Sequence, residues 1–139
     1  MLDSIKKNLL FSIADIDSIP DIGAYNLRVN GEGFARSSTE NVTIEPKKDK
    51  NGIDIIVKPF SKADKVHIPV IVTESGVNDT VYNDFFIGEG AEVHIVAGCG
   101  IHNDGDCDSR HNGIHRFHIG KNAKVTYVEK HYGEGDGNG

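Results

Sequence analysis

The sequence predicts a mainly β chain: a right-handed parallel β-helix with an N-terminal amphipathic helix and small hairpins. Three observations carry this. One phrase occurs twice: Phe85-Phe-Ile-Gly-Glu-Gly-Ala-Glu-Val-His-Ile-Val-Ala-Gly98 and Phe117-His-Ile-Gly-Lys-Asn-Ala-Lys-Val-Thr-Tyr-Val-Glu-Lys130 superpose without a gap, Phe85 on Phe117, and are identical at six of 14 positions. Each copy holds a tight corner, Gly88-Glu-Gly or Gly120-Lys-Asn, where Gly or Asn accepts a positive φ at little steric cost. Finally, 16 glycines, short Val/Ile runs and few helix-forming stretches favour strands. Short strands and corners repeating about every 30 residues are a solenoid signal, each coil covering the apolar layer of the one before. A β-sandwich of hairpins would use the same strands but leave the repeat unexplained.

In chain order, residues 4–16 form the one convincing helix. Ile5, Leu9, Ile13 and Ile16 fall at near-helical spacing, Asp3 or Ser4 caps the free amides, and Pro20 blocks continuation. The period then drops to two: Tyr25, Leu27 and Val29 alternate with polar residues, Asn30-Gly31 is a hairpin turn, and Phe34-Ala-Arg returns as the partner strand. Val42-Thr-Ile-Glu and Ile53-Asp-Ile-Ile-Val57 make a second hairpin, whose Lys/Asp-rich tip at 47–52 reads as a solvated turn and not a binding patch. Val66-His-Ile-Pro-Val-Ile-Val72 is a degenerate third copy of the phrase: Ala63 stands before Val66 as Ala91 stands before Val93, with the valine one place out of register. Pro69 cannot donate to a ladder and suits an edge or a corner. Residues 75–79 form a turn before a strand at 81–87. In the two clear copies Ala91 and Ala123 fit inside the corner, and Val93 and Val125 point to the core.

The chain divides into an N-terminal helix-and-hairpin region (1–52) and the start of the β-helix (53–139). The Gly-rich end follows a repeat directly, with no cap on the last coil. It therefore reads as part of a longer β-helix; a flexible tail on a complete domain is the alternative.

Bulk properties narrow the function. A net charge of −6 argues against a broad nucleic-acid surface. No apolar run is long enough for a membrane helix and no signal-peptide pattern is present, and two cysteines so close in sequence do not make a disulfide framework. A reduced, cytoplasmic protein is expected. There is no P-loop, dinucleotide fingerprint or Gly-x-Ser-x-Gly phrase.

Chemistry concentrates between the two copies. Residues 99–118 hold both cysteines and four of the seven histidines. Cys99, His102, Cys107, His111, His115 and His118 are the ligand types that zinc or iron prefers, although Cys-x2-His and His-x3-His-x2-His complete no zinc signature. Asp104, Asp106 and Asp108 begin like a calcium loop but lack its glycine and distal glutamate. The bland alternative is a polar surface loop running into a strand, with His115, Phe117 and Ile119 on one face and Arg116 and His118 on the other. Cys99 follows an apolar strand between two glycines, which leave room for a reactant, and a nearby His115 or Arg110 would lower its thiol pKa. Cys107, between two aspartates, should be the poorer thiolate.

Cys99 in Val-Ala-Gly-Cys-Gly, His115, and the phrase from Phe117 to Glu129 together resemble the core of the SufB/SufD family, the β-helical components of SUF iron–sulfur cluster assembly. Val57-Lys-Pro-Phe and the strands at 66–72 and 81–87 are similar to the approach to that core, so the resemblance covers about 53–133. It implies a non-catalytic scaffold that works with a SufC-type ATPase, a second SufB/SufD-type subunit in a homo- or heterodimer, and a cysteine desulfurase as sulfur donor. Cys99 matches the cysteine associated with accepting sulfur as persulfide, with Ala97 where the family phrase has glutamate. His115 matches a supporting histidine. No resident cofactor is implied, since sulfur and the cluster are transient cargo. The family's cluster-forming residues and ATPase-binding helices lie beyond the part that this chain resembles. Two further readings stand beside this one: a zinc- or iron-binding β-solenoid using the Cys/His-rich stretch, and a purely structural interaction β-helix.

Overall fold

The computed structural model describes residues 3–14, 23–62 and 64–138. One helix and nine strands follow in order: α1 (Ser4–Ala14), β1 (Ala24–Val29), β2 (Glu32–Ser37), β3 (Val42–Pro46), β4 (Ile53–Val57), β5 (Asp64–Val72), β6 (Asn78–Ile87), β7 (Glu92–His102), β8 (Arg110–Ile119) and β9 (Lys124–Glu134). They build two mostly parallel sheets, ordered β2-β1-β5-β7-β9 and β3-β4-β6-β8. From β5 onward the chain alternates between the sheets, strand by strand. The fold is thus mainly β, and residues on both sides of position 52 share the same two sheets.

The repeat is the register. Glu92 pairs with Lys124 and Asn78 with Arg110, so the β7–β9 and β6–β8 ladders both keep the offset that maps Phe85 onto Phe117. Like pairs with like because identical side chains demand identical space in neighbouring strands. Phe117 lies parallel on Phe85 with ring centroids 4.5 Å apart. The degenerate copy also stacks: β5 pairs with β7 at Val66–Ile95 and Pro69–Gly98. Ala63, used to align it, lies outside the described residues.

The corners stack as well. Phe60, Gly90 and Asn122 take φ of 63°, 68° and 60°. The Phe60 amide donates to Glu89 O and the Gly90 amide to Lys121 O. A Cβ on Gly90 would lie 2.5 Å from the Phe60 ring, so both its φ and the close approach require glycine there. Ala91 is fully buried inside its corner and Val93 nearly so; Ala123 and Val125 pack half-buried against the same core.

Both predicted hairpins form. Asn30 and Gly31 have φ of 51° and 83°, the two positive values a two-residue primed turn needs. Residues 48–51 of the tip are exposed as predicted, but Lys47 is half-buried: its Nζ bridges Asp54 at 2.5 Å and Asp84 at 2.6 Å. The turn before β6 is also shorter than predicted, because Asn78 and Asp79 already belong to the strand. Pro69 is neither at an edge nor at a corner. It sits in interior strand β5, paired with Gly98 of β7, at the point where the β1 ladder skips from His67 to Val70.

Helix α1 starts at Asp3, whose Oδ1 accepts from the Lys6 amide at 2.9 Å, an N-cap bond. Leu9, Leu10 and Ile13 are fully buried; Ile5 is 39% exposed, and Ile16 and Pro20 lie outside the described residues. The helix lies on the outer face of the five-stranded sheet, against β5, β7 and β9. It forms a second apolar layer with Leu27, Val29 and Ile71. The Leu27/Val29 face therefore packs under the helix, and its polar alternates Asn26 and Arg28 turn to the space between the sheets. Among the described residues no helix is long and apolar enough to cross a membrane.

Candidate functional site

The space between the sheets changes character along the strands. Near the corners it is filled by Val57, Val66, Phe85, Ile87, Val93 and Ile95, all buried. Toward the opposite end the inward positions become polar. One lateral row in the five-stranded sheet runs Arg28, Val70, Cys99, His131, and Asp79 and His111 form a matching row in the other sheet. Between them lies a cavity of about 300 Å³ lined by Cys99, His111, His115, Glu129, His131 and Asn83. His131 and Glu129 are on the edge strand β9, with side chains 68% and 35% exposed, and form its mouth.

An ion pair between the sheets supports this cavity. Arg28 reaches from β1 to Asp79 on β6, Nε to Oδ2 at 2.7 Å and Nη2 to Oδ1 at 2.8 Å. Nη2 also donates to Gly31 O. His111 Nδ1 lies 3.0 Å from the same Asp79 carboxylate. Burial opposes ionisation of Asp79, but the bonds from Arg28 and His111 outweigh it and hold the carboxyl well below the usual range. A carboxylate at Nδ1 fixes the proton there, so neutral His111 carries its lone pair on Nε2.

His115 is wired differently. Asn83 Oδ1 accepts from the Ile53 amide, so Asn83 Nδ2 is the group that faces His115 Nδ1, at 3.4 Å. His115 Nδ1 is then an acceptor and its proton sits on Nε2, 3.6 Å from Glu129 Oε1. Burial lowers the pKa of His115 against the pull of Glu129, and the ring packs edge-on against Phe85. Gly113 makes room for the His115 ring, since a Cβ there would stand 3.0 Å from His115 Nε2.

Cys99 is a free, buried thiol. Burial pushes its pKa up to about 11, and the Asp79 and Glu129 carboxylates push the same way. This corrects the expectation of an activated thiolate: Arg110 pairs with Asp108 instead. The flanking glycines do not make room for a reactant either. Their open face is on the other side of β7, where a Cβ on Gly98 would meet Ile13 at 2.9 Å and one on Gly100 would meet Leu9 at 3.1 Å. They are small because α1 packs there.

The six residues grouped as metal ligands are dispersed. Cys99, His111 and His115 face the cavity. His102 is held between Glu134 and Asp104 at the end of β7, and Cys107 is exposed in the 103–109 loop. His118 is on the outer face, stacked on Phe86 and 3.0 Å from Asp84. Among the described residues no three His, Cys, Asp or Glu side chains are grouped to hold a metal ion. As in the bland alternative, the stretch includes a mostly exposed loop, residues 103–109, and His115 and His118 lie on the strand that follows, β8. Sequence reasoning missed Arg28, Asp79, Asn83, Glu129 and His131; the offset of the repeat held the missing signal, since it places Asp79 beside His111 and Cys99 beside His131. Comparison with protein families, curated proteins and solved structures finds no match to this chain.

Proposed function

We propose that the chain is a cytoplasmic, non-catalytic scaffold of SUF type, its two sheets the walls of a right-handed β-helix, which accepts sulfur at Cys99. The observation that supports this most is the inward-facing thiol in a cavity shared with three imidazoles, those of His111, His115 and His131, and open at the β9 edge. A buried, protonated thiol is a poor nucleophile until a donor arrives, and it then needs a base. His111 suits that role better than His115, because its Nε2 lone pair is directed by Asp79. On attack, the Cys99 proton passes to His111 Nε2. The thiolate bonds to the outer sulfur of a donor persulfide, the donor S–S bond breaks, and the proton moves to the departing donor thiolate. The products are a Cys99 persulfide and a donor thiol, with no net oxidation. The SufC-type ATPase and a second SufB/SufD-type subunit are the expected partners, with the cluster as cargo.

The test is intact-mass and peptide-mapping spectrometry after incubation with a cysteine desulfurase and cysteine. One sulfur atom added to Cys99, lost in Cys99→Ser, is expected, and His111→Gln should slow the transfer about a hundredfold. A chain that takes no sulfur at Cys99, while a control acceptor in the same tube does, refutes the proposal.

A further inference from the structure

A second cavity, of about 220 Å³, lies at the first-coil end of the interior. It shares Ile68, Val70 and Asn83 with the Cys99 cavity but is otherwise built from different residues. Four cationic side chains converge on it: Arg28, Arg36, Lys47 and Lys50. Among the described residues no aspartate or glutamate lines it. That is unexpected in a chain with 21 acidic and 15 basic residues, where random placement would favour carboxylates.

We infer that this cavity binds a small oxyanion of the phosphate class. The arrangement has two layers. At the base, Arg28 and Lys47 have side chains only 14% and 10% exposed, and carboxylates behind the wall fix them: Asp79 for Arg28, Asp54 and Asp84 for Lys47. At the rim, Arg36 donates Nε to Asn26 Oδ1 at 2.9 Å, and Lys50 rests 5.0 Å over the Tyr82 ring. Among the described residues neither rim cation has a carboxylate partner. The two base cations are offset by three carboxylates, so the positive charge open to a ligand is that of the rim pair, Arg36 and Lys50. Arginine adds paired donors that match oxyanion geometry. The volume is below the roughly 300 Å³ at which pockets hold drug-sized ligands, which selects an ion or a very small ester. The inference does not depend on the sulfur reading, because it uses the opposite cavity and no thiol.

The test is titration calorimetry of the whole chain with inorganic phosphate and with pyrophosphate, in low-salt buffer with chloride matched. Saturable binding at one site per chain is expected, weakening as salt rises. Arg36→Gln and Lys50→Gln, both at exposed rim positions, should each weaken it about tenfold, and the pair should abolish it. Exposed Lys62→Gln, away from the cavity, should change nothing. Tighter binding of pyrophosphate than phosphate identifies a phosphate chain as the preferred form; the reverse identifies the single ion. Absence of saturable binding, or binding untouched in the folded double variant, overturns the inference.

Discussion

Gly98→Ala tests whether the glycines beside Cys99 serve the helix or the thiol. The added Cβ would stand 2.8 Å from the Lys130 carbonyl oxygen of β9 and 2.9 Å from Ile13 Cβ of α1, both short of the 3.4 Å where ordinary contact begins. One neighbour is ladder backbone and cannot yield cheaply, so the helix has to shift. Overpacking of this kind costs about 1–3 kcal/mol. The intrinsic gain from replacing a strand glycine by alanine is about 0.5–1 kcal/mol and offsets part of it. A net loss of about 1 kcal/mol, and at most about 2.5 kcal/mol, is expected from these two opposing effects. Gly133→Ala is the control in the neighbouring strand: nothing stands within 4 Å of its Cβ, so only the gain should appear. Urea unfolding followed by circular dichroism gives the stabilities, and hydrogen exchange of the α1 amides reports whether the helix loosens. If Gly98→Ala matches Gly133→Ala in midpoint, with α1 exchange unchanged, the packing account is wrong.

Three further outcomes follow from the same geometry. Iodoacetamide at neutral pH should label exposed Cys107 at least roughly a hundredfold faster than Cys99, whose thiol is buried and shifted up to about 11; equal rates by peptide mass spectrometry would contradict the placement. Hydrogen bonds from His102 to Glu134, then Asp104, raise the His102 pKa, so this clamp stabilises the fold fully below about pH 6.5 and fades as pH rises through the raised value. The wild-type urea midpoint should thus fall from pH 6 to 8.5 relative to His102→Asn, and parallel curves would exclude the clamp. Asp79→Asn leaves Arg28 buried without a counter-charge and should cost about 3–5 kcal/mol, most of it recovered in the Arg28→Met/Asp79→Leu pair; a single-variant loss under about 1 kcal/mol in chemical denaturation would show the ion pair to be solvated.

The repeat made the β6–β8 and β7–β9 pairings legible down to their register, because a duplicated phrase buries its Phe, Ile, Ala and Val by pairing with its own copy. The first parallel pairing was harder, since β1 meets β5 through the pair Ala24–Val66, a separation that no repeated phrase marks. Pro69 misled for a related reason. The rule that proline avoids interior strands assumes a continuous ladder, and here the β1 ladder skips it.

The site was half legible, and the reason is that the five-stranded sheet is apolar on two faces. Alternation in Tyr25, Leu27 and Val29 says that these side chains share a buried layer, but not which one. Only the docking of Leu9, Leu10 and Ile13 over Leu27 and Val29 assigns that layer to the helix and turns Asn26 and Arg28 inward. Once Arg28 points between the sheets it needs a counter-charge across the gap, and Asp79 is there because β6 begins before the predicted turn ends. Burial raises the thiol pKa of Cys99 and Asp79 pushes the same way, while the same carboxylate selects the tautomer of His111. The chemistry of the cysteine is thus set by a helix packed on the far side of its own strand, a dependence that no local motif around Cys99 encodes.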